Sequence, residues 1–125
     1  MVLNEENKND IKCHITKLMV EMGMPAHLRG YRYLREAICL CVGNMELVGS
    51  VTKLLYPEIA RTFQVTNEKV ERAIRSVIEV GWERGNQELF EEIFGYSRAH
   101  GKVRPTNSEF ILGVADKIQI WYTIH

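Results

Sequence analysis

The stretch that most constrains the fold is Tyr56–Trp82, YPEIARTFQVTNEKVERAIRSVIEVGW. Its apolar residues recur three and four apart on both sides of a short polar break, which predicts two helices joined by a tight turn, a helix-turn-helix. Ile59, Ala60 and Phe63 are the apolar positions of the first helix. Pro57 stands in its first turn, where a missing N–H costs nothing. Gln64-Val65-Thr66 forms the turn, with Gln64 where many such turns carry glycine. Thr66 is placed to cap the second helix, its hydroxyl accepting a bond from an N–H left unpaired there. Val65 and Val70 flank that cap with the spacing of a hydrophobic staple, and small Ala60 allows the helices to approach closely.

The second helix, residues 67–82, divides by face. Val70, Ile74, Val77 and Ile78 recur at helical spacing and point inward, with Trp82 a turn beyond. Glu68, Lys69, Glu71, Arg72, Arg75, Ser76 and Glu79 are left outside. Arg72 and Arg75 lie three apart and project from nearly one side near the N-terminus, where a recognition helix meets base edges in the major groove. An arginine there can donate two bonds to guanine O6 and N7, and Glu71 can accept from cytosine N4. The same charges also fit a solvated face laced by Glu–Arg pairs, so the face alone leaves both readings open.

The remaining chain reads as support for this motif. Residues 1–9 are polar and aperiodic and are expected to form a linker or frayed start. Residues 10–125 are expected to form the helix-turn-helix domain. Ile11, Ile15, Leu18, Met19 and Met22 mark one helix face, and Gly23 suits its stop. A short turn or helical piece from Met24 is interrupted by Gly30; a long helix then carries Tyr31, Leu34, Ile38 and Cys41 as far as Gly43 or Asn44. Val51, Leu54 and Leu55 lead into the motif. Leu89, Phe90, Ile93 and Phe94 mark a short helix ending at Gly95, and Tyr96 to Arg104 is a basic loop. Thr106 and Glu109 have capping-box spacing, with Asn107 or Ser108 as alternative caps, ahead of a last helix burying Phe110, Ile111, Val114, Ile118 and Trp121. No segment of any length has strand periodicity, so the fold is expected to be all α, with about six helices.

Sixteen basic and sixteen acidic side chains give no net charge, so nucleic-acid binding has to rest on local charge placement. No run of about 18 apolar residues could span a membrane. With no basic, apolar leader, the chain is expected in the cytoplasm. Cys13, Cys39 and Cys41 have no paired spacing, and the four histidines form no ligand cluster; no metal or cofactor is expected. No serine sits in a nucleophile elbow and no glycine-rich phosphate loop occurs, so an enzyme is not expected.

Four segments carry a more specific signal: MGMPAHLRGYRYLREAI (22–38), SVTKLLYPEIARTF (50–63), VERAIRSVIEVGWERGN (70–86) and RPTNSEFILGVADKI (104–118). Together they resemble the C-terminal effector domain of the stage-zero sporulation protein A response regulators, over nearly the whole chain from Asp10. The resemblance implies a six-helix DNA-binding domain reading a TGTCGAA-type promoter box as tandem pairs. It also implies control of sporulation initiation, as activator or repressor, through contacts with RNA polymerase and its sigma factor. The family's base-reading Glu-Arg-x-x-Arg falls on Glu71, Arg72 and Arg75. Lys53, Arg61, Asn67, Lys69, Ser76 and Arg104 are the candidate phosphate contacts. The family's phosphoacceptor receiver domain is not seen in this sequence, so the effector is expected to bind without phosphorylation. The resemblance also leaves room for an antagonist that occupies the boxes without activating, or for a protein-interaction module that has lost DNA reading.

Overall fold

A computed structural model describes residues 4–124, apart from the side chain of His100. It contains six α-helices: α1 (Glu5–Glu21), α2 (Arg29–Gly43), α3 (Tyr56–Phe63), α4 (Asn67–Arg84), α5 (Gln87–Phe94) and α6 (Asn107–Ile124). No strand occurs among the described residues, and the fold is all α as the periodicity predicts.

The first helix begins at Glu5, so the expected linker is helical from there on; residues 1–3 lie outside the described part. Capping and charge account for the difference. The Asn4 side chain accepts the Asn7 N–H at 2.8 Å, and Glu5 and Glu6 sit at the positive end of the helix dipole. Burial contributes nothing until Ile11, which is why apolar spacing gave no sign of this turn. At the other end Gly23, with φ +78°, closes α1 as expected.

Gly30 does not interrupt a helix. It is the second residue of α2 and is buried against α4, where an added Cβ would stand 1.9 Å from the Ala73 carbonyl oxygen. The glycine is there for a backbone-to-backbone approach. Further along, α2 packs on α4, α6 and α1, and its Leu34, Ala37 and Ile38 join Ile15, Met19, Ile74, Ile78, Phe110 and Val114 in one fully buried core. Between α2 and α3 the chain winds through a 3₁₀ segment (Met45–Ser50) and a π turn (Val51–Leu55). Val51 and Leu55 are buried, while Leu54 is 56% exposed.

Of the three candidate caps on α6, Thr106 does the capping. Its hydroxyl accepts the Glu109 N–H at 3.1 Å, and the Glu109 carboxylate accepts the Thr106 N–H at 3.0 Å. Bonds to the Glu109 carboxylate from the Thr106 N–H, first, and from the Thr106 hydroxyl hold that carboxyl below its ordinary pKa. The buried face of α6 stops at Ile118, short of the expected Trp121. Trp121 is 45% exposed and lies edge-on to His14 of α1, with ring centroids 5.6 Å apart. Among the described residues no helix is long and apolar enough to cross a membrane.

Candidate nucleic-acid interface

Helices α3 and α4 meet at Gln64, whose φ of 56° and ψ of 50° are left-handed. The turn is held shut from both sides. The Val65 N–H bonds to the Ala60 carbonyl at 2.9 Å, and the Thr66 hydroxyl accepts the Lys69 N–H at 3.2 Å. Val70, five residues beyond the partly buried Val65 and four beyond the Thr66 cap, is fully buried.

Along α4 the inward set is as read from the sequence: Val70, Ile74, Val77 and Ile78 are fully buried and Trp82 nearly so. Glu68, Lys69, Arg72, Arg75, Ser76 and Glu79 are exposed, and Glu71 is half-buried. Burial thus fixes the rotation of α4, and the rotation decides which charges face solvent.

Two contacts from elsewhere fix its position. The Asn107 amide nitrogen at the start of α6 donates to the Glu71 carbonyl and to the Tyr56 hydroxyl, both at 3.0 Å. A carbonyl can only accept, so the NH₂ end of the amide must face it. Burial pushes the Tyr56 phenol above its ordinary pKa, so its hydroxyl stays protonated at neutral pH. Arg104, in the loop before α6, reaches Glu79 at 3.0 Å.

The charges divide into paired and unpaired. Arg75 pairs with Glu71 at 3.3 Å one turn back, Arg61 pairs with Glu58 within α3, and Arg104 holds Glu79. Such half-exposed pairs contribute roughly 0–1 kcal/mol and open readily. Among the described residues Arg72 and Lys69 have no acidic partner.

Three of the open depressions along α4 gather the candidate residues. One, of about 350 Å³, brings Lys69, Arg72 and Ser76 together with Arg29, Tyr33 and Ala73. On the other side Asn67, Glu71, Arg72 and Arg75 line a space of about 490 Å³ with Glu68, Thr52 and Tyr56. A third, of about 340 Å³, joins Glu71 and Arg75 to Arg104 and the first turn of α6. Arg72 therefore stands on the crest between two hollows, and Glu71 and Arg75 lie on one flank. Lys53 and Arg61 are exposed but line none of the three.

Sequence reasoning missed Arg29, Thr52 and the reach of Asn107. Gly30 beside Arg29 was the available hint, since a glycine inside a helix often marks close packing. Nothing in local spacing ties Asn107 to a carbonyl 36 residues away. The sequence profile described as "Sporulation initiation factor Spo0A C terminal" matches residues 15–118.

Proposed function

Because the chain belongs to the Spo0A C-terminal family of sporulation-related DNA-binding effector domains, which is not an enzyme family, we propose that it reads a TGTCGAA-type promoter box through Glu71, Arg72 and Arg75. The observation that carries this is the exposed crest of α4, where Arg72 has no acidic partner among the described residues. Base readers must be presented on a rigid element, and α4 is fixed in rotation by its core face and in position by Asn107. Arg72 supplies the bidentate donor for guanine. The Glu71–Arg75 pair opens at small cost, freeing an acceptor and a second donor for neighbouring bases. Lys53, Arg61, Asn67, Lys69, Ser76 and Arg104 contact phosphates, which position the domain without specifying sequence. Residues 10–125 act as the effector unit, in the cytoplasm with the DNA. They bind as tandem pairs and act on transcription initiation through polymerase and its sigma factor.

The test is binding to a duplex with one such box and to a scrambled duplex at matched salt. Arg72→Ala should lose roughly 1–3 kcal/mol on the box alone and relax preference at one guanine. Lys69→Ala should weaken both duplexes about equally. Equal, weak binding of the unmodified chain to both duplexes would reject the reading.

A further inference from the structure

A cluster of cations lies on the surface where α2 meets the recognition helix. Gly30 lets the α2 backbone touch the α4 backbone at Ala73, and this contact fixes its neighbour Arg29 beside Lys69, Arg72 and Ser76. Tyr33, one turn along α2, is 6% exposed and closes the depression from within. Three cations and the Ser76 hydroxyl line this hollow with Tyr33 and Ala73, and among the described residues no acidic side chain does. Among the described residues none of the three cations has an ion-pair partner. Like charges gathered without a counter-charge repel one another, so the arrangement costs stability unless an anion fills it.

Arg29 adds a second cost. It is the first residue of α2, and no acidic residue lies in that helix's first turn. A cation at the positive end of a helix dipole is unfavourable. A residue kept for stability would be acidic, polar or neutral there. Arg29 is therefore explained by what it binds and not by the helix it begins.

We propose that this depression is a phosphate site, and that Arg29, outside the helix-turn-helix, grips a DNA backbone phosphate alongside Lys69 and Ser76. This rests on the DNA-binding reading above and extends it to a third helix. With α2 on the backbone next to the groove that α4 enters, the recognition helix is held from its Ala73 side as well as by its own turn. A guanidinium suits the task, since it presents parallel N–H donors to two phosphate oxygens.

The experiment measures affinity against salt for the unmodified chain, Arg29→Gln and Arg29→Lys, on the box and scrambled duplexes. Thermal unfolding of each protein runs beside it. Loss of one phosphate contact should reduce the slope of log affinity against log salt by about 0.9. Arg29→Gln should show that reduction on both duplexes, a several-fold weaker affinity on each, and an unchanged ratio between them. Its unfolding temperature should stay level or rise, because the dipole penalty is gone. Arg29→Lys should keep the slope. An unchanged slope in Arg29→Gln, with Arg72→Ala still losing the box, would overturn this site and leave the base-reading proposal standing. A changed box-to-scrambled ratio would make Arg29 a base reader and overturn the phosphate assignment. A lowered unfolding temperature would make it a structural residue. Salt-insensitive or absent binding by the unmodified chain would reject both proposals together.

Discussion

Asn107 joins three parts of the molecule with one amide. Its NH₂ supplies the Glu71 carbonyl with a second hydrogen bond beyond the helical one and also meets the buried Tyr56 hydroxyl. Each such bond contributes about 1 kcal/mol net, so Asn107→Ala should cost roughly 1–2 kcal/mol in urea unfolding. Asn107→Asp retains only the Tyr56 contact, with the phenol turning to donate, while the carboxylate faces the Glu71 carbonyl and repels it. Specific DNA affinity should fall further in the aspartate variant than in alanine, measured on the box duplex. Equal affinity in all three proteins would show that the bond holds the fold without setting the reading face. The sequence showed Asn107 as a possible cap; Thr106 took that role, and the amide was left to reach across.

Among the elements, the turn between α3 and α4 stores strain. Gln64 is the single non-glycine residue with positive φ among the described residues. An L-residue there costs about 1–2 kcal/mol, against about 0.5–1 kcal/mol for the extra freedom a glycine loses on folding. Gln64→Gly should therefore raise stability by about 0.5–1 kcal/mol in chemical denaturation, with DNA affinity unchanged because Gln64 lines none of the hollows beside α4. A loss of stability would mean that the Gln64 side chain makes a contact worth more than the strain. What was legible at this scale was local. Thr66 and the Thr106–Glu109 box cap helices within one turn, and the apolar rows of α4 and α5 need no distant partner. What was not legible depended on partners far off in sequence or on no burial at all. The first turn of α1 is held by Asn4 and charge, Gly30 answers to Ala73, and Trp121 lies half-exposed against His14 of α1.

Over the whole molecule, zero net charge conceals a segregation of charge that composition could not reveal. Acids neutralise Arg61, Arg75 and Arg104, while Arg29, Lys69 and Arg72 gather on one flank of α4 with no ion-pair partner among the described residues. At the far side, α1 and α6 meet around His14, whose pKa lies below the ordinary 6.5 because of burial first and then Lys17 and Lys117, with Glu21 opposing. The unfolded chain takes up that proton more readily than the folded one. Stability is thus complete above 6.5 and declines as pH falls from there towards the lowered folded value. Urea midpoints across that window should drop for the unmodified chain and flatten in His14→Gln; parallel curves would assign the acid sensitivity elsewhere. One bond described above has a mechanical side. Asn107 is the first residue of α6, and the helix runs 18 residues, about 27 Å at 1.5 Å per residue. Ile120, Trp121 and Ile124 form the long end of a lever whose short end is the Glu71 carbonyl. A pitch of about five degrees moves the far end roughly 2 Å, and it reaches α4 both through the Asn107 amide and through the core that Phe110 and Val114 share with Ile74 and Ile78. Movement at Trp121 therefore reaches Glu71 only as far as that packing yields, and a core packed to crystal-like density yields little.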